Sequence, residues 1–454
     1  MRRYLTGLAL ITLAVAVPLR GQEVFVSFPD LVRRVAERDP GVRARATEQE
    51  AARSEARRTE TLRLPKFTIN TDMGVGKVVD DVANVLLTGL TPVAVTDTLT
   101  RSRLGDLSSN RHFFVPGAHL EDNFFDGGRT GALIRSAWLN QDKAEVARDR
   151  SKDDEAYEAA SDFLNLAQGQ VLGRYLDEYA QVADLAATAL ADQAREGRIT
   201  EARALAGQAK LQAARAALEN NRDDLRLLSE SLRRRAGLPP DAAFETRALE
   251  ARLAESSAAP VPEDGALEKN PDLRNALLDA QLQEQQVRSA RAQRVPEFHF
   301  VADYGFFFSS TVFTYRPGYS VGVHATFPLF TSGEVARNIK TQQERLEASR
   351  LKQEKVRAEL DEDCARLLVE HRKLARQLQA ARSQLTQAEE VYRVARLKFD
   401  QGAGSPSDLL EAADLLLNSR QRCLDLTRSS LLLRWTAFRL QGTLLAQLER
   451  GVLP

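Results

Sequence analysis

The sequence contains little cysteine. Only 2 of its 454 residues are cysteines, Cys364 and Cys423. We predict that they lie in the two arms of one helical hairpin that turns near Gly402. A rise of 1.5 Å per residue would then separate them by roughly 25 Å along the hairpin axis. A disulfide requires Cα atoms within about 7 Å of each other, so we expect two free thiols without a redox or metal-binding role.

Long apolar segments are also scarce. An apolar run over residues 5–17 follows Arg2 and Arg3, but it is shorter than the roughly 20 residues that a membrane-spanning helix needs. Small or polar residues follow the run, so residues 1–22 are predicted to be a secretory signal peptide. No other segment approaches the roughly 18 uncharged apolar residues of a transmembrane helix. An exported chain of this kind can still span a membrane as a β-barrel.

Charge of one sign is not in excess. Lys+Arg and Asp+Glu both number 63, so the zero net charge gives no electrostatic basis for binding nucleic acid. The charges of both signs are interleaved along the chain, which is typical of solvated helix faces. Basic runs at 53–58 and 233–235 are interpreted in the same way, and no nucleic-acid partner is predicted.

Motifs for catalysis or metal binding are missing as well. No histidine has an H-x-x-x-H partner or a nearby cysteine pair, and the five are His112, His119, His299, His324 and His371. Residues 74–77 read Gly-Val-Gly-Lys, but the first glycine of a phosphate loop is absent and Val78 replaces the required Ser or Thr. We therefore predict no enzyme, no cofactor and no metal site.

What the sequence does contain is an internal duplication. Two helical stretches begin at Asp39-Pro40 and Asn270-Pro271 and end at Leu64-Pro65 and Val295-Pro296, an offset of 231 residues. Further along, the offset is 205, and it relates Gly197, Leu205 and Gly237 to Gly402, Leu410 and Gly442. Chance matches would not share two constant offsets. The first copy therefore carries about 26 extra residues, which we place in a loop between residues 76 and 111.

Each copy is predicted to have the same layout. A helix ends at a proline, two strands follow, and a very long helix leads through a glycine turn to a last helix. The first repeat covers residues 23–238, with a helix over 28–64, a β-hairpin over 65–125 and a helical hairpin over 128–237. The second covers 266–454, with a helix over 266–294, a β-hairpin over 296–330 and a helical hairpin over 333–443. Residues 239–265 are predicted to form a linker outside the helical layer.

The strand segments alternate apolar and polar residues. Each has about 10 residues, the length that crosses a bilayer when a strand is tilted, and an apolar-out, polar-in pattern is typical of membrane barrels. A half-buried soluble sheet would alternate in the same way, but the aromatic cluster Phe306–Phe308, Phe313, Tyr315 and Tyr319 favours a membrane interface. His299 and His324 fall on the polar faces. Four strands are too few to close a barrel, so an oligomer is required.

The long helices show heptad spacing of leucine. Residues 333–401 contain no proline, and apolar residues such as Ile339, Leu346, Leu360 and Leu367 recur at multiples of seven. Such spacing predicts knobs-into-holes packing against neighbouring helices. A solitary coiled coil is the simpler alternative, but the attached strands argue against it.

The turn after the second long helix is the main candidate site. Phe399, Gly402 and Gly404 surround a tight turn, and Ser405 and Pro406 begin a new helix. Asp408 and Glu411 then lie one turn apart on one face. Both carboxylates could simply favour the positive helix N-terminus. In an oligomer they could instead form an acidic ring at a pore mouth, which would select cations.

These motifs together resemble the TolC-like outer membrane efflux family over essentially the whole mature chain. The resemblance is carried by Asp39-Pro40, Asn270-Pro271, Leu64-Pro65, Phe124-Phe125-Asp126-Gly127-Gly128, Pro328-Leu329-Phe330-Thr331-Ser332-Gly333 and the Gly402 turn with Ser407-Asp408-Leu409-Leu410. It implies a mainly helical fold with a four-strand contribution to a trimeric 12-stranded β-barrel, continued by an α-helical barrel in the periplasm. Gly127, Gly128 and Gly333 would form the barrel-to-helix turns.

The resemblance also implies function and partners. It predicts an outer-membrane channel subunit of a tripartite efflux or type I secretion system, a homotrimer in outer-membrane lipid that docks on an inner-membrane pump through a periplasmic adaptor. Asp408 and Glu411 match the family's acidic gate positions. The first copy departs at the turn of Gly197, because Arg203 stands where the second copy has Asp408, and Gly404 stands where the family can carry an arginine. A periplasmic adaptor or a structural coiled-coil protein is the alternative.

Overall fold

The computed structural model describes residues 25–77, 110–255, 267–309 and 316–450. The predicted signal peptide, most of the extra loop of the first copy, Phe313 and Tyr315 lie outside these ranges. In chain order, the strands are β1 (Phe25–Val26), β2 (Lys66–Lys77), β3 (Asn110–Phe125), β4 (Ala243–Phe244), β5 (Glu297–Ser309) and β6 (Arg316–Thr326). The helices are α1 (Phe28–Arg38), α2 (Pro40–Glu60), α3 (Arg129–Arg195), α4 (Glu201–Ala236), α5 (Arg247–Glu255), α6 (Pro271–Ala292), α7 (Glu334–Asp400), α8 (Pro406–Leu440) and α9 (Leu444–Glu449).

The predicted first helix is interrupted at Asp39, which separates α1 from α2. Asp39 has an extended ψ of 133° and its carboxylate accepts hydrogen bonds from the N–H groups of Gly41 at 2.7 Å and Val42 at 3.3 Å. Pro40 has no N–H to continue the helical ladder. Asn270 caps α6 in the same way, with its side chain accepting from Asp272 and Leu273. The single helix predicted over 28–64 is therefore wrong at this residue.

Four strands form one antiparallel sheet in the order β2-β3-β5-β6. The pairing of β3 with β5 joins the two copies, with His119 opposite Asp303 and Leu120 opposite Ala302. The sheet is open, because β2 and β6 each have one free edge in the described chain. Alternating rows of the register are apolar and polar, so the sheet has one apolar and one polar face.

Helix α3 lies at the centre of the helical layer. It packs against α1, α2, α4, α6 and α8. Its middle third contributes several fully buried residues, including Phe163 and Leu164, to the main hydrophobic core with Leu31 of α1 and Trp435 of α8. A second core, nearer the helical turns, contains Ala186 of α3 together with residues of α4 and α8.

The predicted linker is not a structureless segment where it is described. Strand β4 pairs in parallel with β1, and α5 packs against α3 and α8 through buried Leu249 and Leu253. Thr246 begins this helix and donates a hydrogen bond to Glu250 at 2.5 Å. The short helix α9, also not predicted, adds Leu444 and Leu448 to the same core.

The two cysteines are free thiols on neighbouring helices. Cys423 of α8 is buried, and Cys364 of α7 is half-buried. Burial raises the pKa of both thiols above the ordinary value, and Asp361 and Asp363 raise that of Cys364 further. A raised pKa leaves little of the reactive thiolate at neutral pH.

Candidate gate and barrel-to-helix junction

The turn between α7 and α8 is closed by backbone hydrogen bonds. Gly402 has a φ of 71°, and the N–H groups of Ala403 and Gly404 both donate to the carbonyl of Lys398 at 2.9 Å. A Cβ on Gly404 would lie 2.8 Å from the Phe399 nitrogen, so this position has no room for a side chain without movement of the turn. An arginine there would need a different turn geometry from the one that this chain has.

Helix α8 begins directly after this turn. The Ser405 hydroxyl oxygen accepts a hydrogen bond from the Ser407 N–H at 3.2 Å, as expected of an N-cap. Asp408 and Glu411 are exposed, whereas Leu409 and Leu410 between them are buried. The two carboxylates therefore share the solvent-facing side of α8. One turn further along, Asp414 forms an ion pair with Lys210 of α4.

The turn between α3 and α4 has the same backbone shape but different chemistry. Gly197 has a φ of 74°, and the Arg198 N–H donates to the Gln193 carbonyl at 2.8 Å. Thr200 makes no side-chain cap, and the exposed Arg203 follows at the position of Asp408. The two turns lie at the same end of the helical layer, because residues near both contribute to the second core.

Phe399 differs from the other predicted turn residues in its surroundings. Its ring packs against the second core, which includes Tyr179 and Leu409. Burial, together with the carboxylate of Asp414, raises the pKa of Tyr179 well above the ordinary value. Phe399 thus anchors the turn to the neighbouring helices, while Gly402 and Glu411 remain exposed.

At the opposite end of the long helices, Asp126 caps the junction between β3 and α3. Its carboxylate accepts hydrogen bonds from the N–H groups of Gly128 at 3.0 Å and Thr130 at 2.5 Å. Burial opposes ionisation, but the hydrogen bonds from Thr130, Gly128 and Arg129 outweigh it and hold the pKa of Asp126 below the ordinary value. An acid three residues before a long helix is the sequence signal for this cap, although the sequence identified Asp126 only as part of the motif before α3.

The glycines of the two junctions adopt left-handed conformations. Gly127 and Gly128 have φ values of 64° and 88°, and Gly333 has 80°. A Cβ on Gly127 would lie 2.7 Å from that of Val295, so the first junction has no room for a side chain. The second junction instead carries Ser332 at a φ of 50°.

The polar face of the sheet carries a hydrogen-bonded row across the seam between the copies. Asp303 is buried, and its carboxylate lies 2.6 Å from His119 Nδ1 and accepts a hydrogen bond from the Ser320 hydroxyl at 2.9 Å. His299 and His324, placed on the polar faces from the sequence, are direct cross-strand partners with ring centroids 6.5 Å apart. This row could not be found from the sequence, because it depends on the register of β3 against β5.

The opposite face of the sheet is apolar and exposed. One row across the four strands contains Phe67, Leu120, Ala302 and Val321, and the next contains Ile69, Ala118, Tyr304 and Tyr319. Several of these side chains are largely exposed, among them Ile69 and Tyr319. Such a surface is far more apolar than a solvated sheet face requires.

No group of three or more His, Cys, Asp or Glu side chains among the described residues has a geometry that could hold a metal ion. Of the helices that the structure describes, none combines the length and apolarity needed to cross a bilayer.

The fold matches solved outer membrane channels over nearly its full length. VceC of Vibrio cholerae aligns with a TM-score of 0.71 and 16% identity, over 91% of this chain and 96% of VceC. CusC aligns with a TM-score of 0.74 and 16% identity, over 94% of this chain and 95% of CusC. CmeC of Campylobacter jejuni aligns with a TM-score of 0.71 and 15% identity, over 91% and 86% of the two chains. The predicted TolC-like fold is therefore confirmed.

Most of the second copy matches a known protein family. Residues 264–434, which contain α6, β5, β6, α7 and most of α8, match the outer membrane efflux protein family. This confirms the resemblance that the motifs predicted, and with the fold it supports an efflux channel subunit over a periplasmic adaptor or a structural coiled coil. No curated protein sequence matches the chain.

Proposed function

We propose that this chain is one of three identical subunits of a passive outer-membrane conduit. The observation that carries the proposal is the open sheet. Within the described residues, it has two unpaired edges, β2 and β6, and one exposed apolar face. An unpaired edge is excluded from hydrocarbon, since each free N–H and C=O would remain unsatisfied. Three copies joined edge to edge would give 12 strands with the apolar face towards lipid and the polar row of Asp303 towards the lumen.

The helical layer would then continue the conduit into the periplasm. Its far end, with the turns of Gly197 and Gly402, would meet a periplasmic adaptor and an inner-membrane pump of an efflux or type I secretion system. Because each subunit contributes Asp408 and Glu411, a trimer would place six carboxylates at this end. A ring of carboxylates favours cations, so we propose that the two residues form the cation-selective constriction.

Conductance in planar lipid bilayers tests the channel. The purified trimer is expected to conduct, at least after the Gly402 turn is destabilised by substitution of Gly404. A trimer that never conducts in either form would rule out the conduit.

Block by multivalent cations tests the acidic pair. Asp408→Asn combined with Glu411→Gln removes both charges while keeping side-chain shape, and we expect the blocking concentration to rise at least tenfold. The matched control exchanges the two acids, Asp408→Glu with Glu411→Asp, and should retain block. If the neutral variant is blocked like the wild type, these residues do not line the pore.

A further inference from the structure

In the helical layer, the two copies pack against each other mainly through α3, which contacts both α6 and α8 of the second copy. Helix α3 of the first copy packs along α8 of the second, whereas the equivalent pair, α7 and α4, makes no comparable contact within the described chain. The offset of 205 residues maps α3 onto α7 and α4 onto α8. Helices α7 and α4 are therefore the counterparts of α3 and α8, but they do not pack against each other within the described chain.

The register of α3 against α8 is defined by polar contacts. The Gln168 amide donates to Asp425 at 2.6 Å, and the Arg428 guanidinium donates to Asn165 at 2.6 Å. An ion pair joins Arg439 to Asp154 further along. The helices are antiparallel, so each residue of α3 lies opposite one position on α8. Along this register Leu164 and Leu432 belong to the main core, and Ala186 and Leu410 belong to the second core.

The offset of 205 residues maps these positions onto α7 and α4, where the residues are also apolar. Leu164 and Leu432 correspond to Val369 and Leu227, and Ala186 and Leu410 correspond to Val391 and Leu205. Unlike their counterparts, these four are exposed within one copy: Val369 by 60%, Val391 by 47%, Leu205 by 56% and Leu227 by 67%. Isolated apolar residues on a surface are ordinary. Four apolar residues at the positions that correspond to the buried α3–α8 contact instead indicate a surface that is covered.

Opposite charges are also retained at one pair of corresponding positions. The ion pair of Asp154 with Arg439 corresponds to Glu359 on α7 and Arg234 on α4. Both are exposed, and each contacts only a neighbour one turn away on its own helix, at 3.5 Å and 3.7 Å. The acid stays on the long helix and the base on the return helix, so the two faces are complementary in charge.

From this we infer that α4 of one copy packs along α7 of the next copy in the register of the in-chain α3–α8 contact. Leu205 would face Val391 of the next copy, Leu227 would face its Val369, and Arg234 would pair with its Glu359. The inference rests on the proposed trimer and adds the register of its helical interface, which a trimer alone does not determine.

Thiol crosslinking tests the register. In a chain with Cys364→Ser and Cys423→Ala, the pair Leu205→Cys and Val391→Cys is treated with a short bismaleimide and run on denaturing gels. We expect a covalent trimer. The matched control pairs Leu205→Cys with Val369→Cys, two equally exposed apolar sites that the register separates by about 33 Å along the axis, and it should give no covalent trimer.

Light scattering on the same samples separates the two proposals. If the particle has trimer mass but the first pair does not crosslink, or both pairs crosslink equally, the register is wrong and the trimer stands. If the wild-type protein itself has no trimer mass, both proposals fail. As an independent check, Arg234→Glu and Glu359→Arg should each lower the trimer fraction, and the double variant should restore it. The register is also contradicted if the double variant is as impaired as either single one.

Discussion

The two long helices are equal in length but very different in burial. Helices α3 and α7 both have 67 residues, yet 20 residues of α3 are buried and only 7 of α7. Because the helices descend from one repeated unit, the difference reflects position and not helix formation. Helix α3 is surrounded by neighbours from both copies, whereas α7 packs mainly against α6 and α8. A duplicated chain can therefore bury one of two equivalent helices in its core and leave the other largely exposed.

Among the changes that test this comparison, the loss of a core residue should have the largest effect on stability. Trp435 is 1% exposed and stacks on Phe28 with centroids 5.8 Å apart. Trp435→Ala should lower the free energy of unfolding by about 3–5 kcal/mol, measured by circular dichroism in urea. Its counterpart in the first copy, Glu230, is exposed, so Glu230→Ala should change it by less than about 0.5 kcal/mol. Equal losses would contradict the division into core and surface.

The junction caps give the next largest difference. Asp126→Ala removes the acceptor of two N–H groups at the start of α3, and should cost about 1–2 kcal/mol. Thr331 is its counterpart before α7, where the Glu334 N–H donates to the Thr331 backbone carbonyl at 2.8 Å and not to its side chain. Thr331→Ala should therefore cost only a few tenths of a kcal/mol in the same urea measurement. A cost at Thr331 as large as at Asp126 would show that the junctions are equivalent.

A buried acid in the first copy should make stability depend on pH. Burial first, then Asp149 and Asp154, raise the pKa of Asp153 to about 6, against the hydrogen bond from the Leu445 N–H and the charge of Arg439. The folded protein therefore favours protonated Asp153. That contribution to stability is complete below the unfolded-state pKa of 3.8 and is lost as the pH rises through about 6.

Asp153→Asn keeps the acceptor and removes this titration. We expect it to raise stability at pH 8 by about 1 kcal/mol, allowing for partial exposure, with little gain at pH 4. The counterpart Ala358 is exposed, so Ala358→Asp should leave the pH profile of the thermal midpoint unchanged. If the thermal midpoint of the wild type does not change from pH 4 to pH 8, Asp153 does not make stability depend on pH.

The smallest expected effect concerns the backbone at the second junction. Ser332 has a φ of 50°, a conformation that costs a side-chain-bearing residue more than glycine. Ser332→Gly should therefore stabilise the protein by about 0.5–1 kcal/mol. The reciprocal change, Gly127→Ser, should destabilise it by more, because a Cβ would collide with Val295. Thermal midpoints of both variants test this, and a destabilising Ser332→Gly would contradict it.

The long helices could be predicted closely from the sequence, and the connecting segments could not. The helical hairpins predicted over 128–237 and 333–443 begin one residue before Arg129 and Glu334, because glycines with positive φ stop helices locally. Helix α5 and the pairing of β1 with β4 depend on contacts with distant parts of the chain. Within α5, Leu249 and Leu253 are spaced one helical turn apart, but the four prolines of residues 239–265 favoured a linker and the sequence did not reveal the partners of these leucines.

The candidate sites also fall into those that the local sequence predicts and those that it does not. The turns of Gly197 and Gly402, the junction glycines and the exposed pair Asp408 and Glu411 follow from local sequence. The row of Asp303 needed the register between strands of different copies. The proposed interface residues Leu205 and Val391 needed both the offset and their exposure, since a leucine on a helix does not reveal whether its partner is in the same chain.

The seam between β3 and β5 has a consequence for folding kinetics. It joins residues as far apart as His119 and Asp303, a separation of 184 positions, whereas each helical hairpin closes over its own turn. Contacts of long sequence separation form slowly, because the entropy of closing the loop must be lost before they can form. We expect each helical hairpin to form before the strands of the seam pair. The contact of α3 with α8 should form as slowly as the seam, because it joins Asp154 to Arg439 across 285 positions.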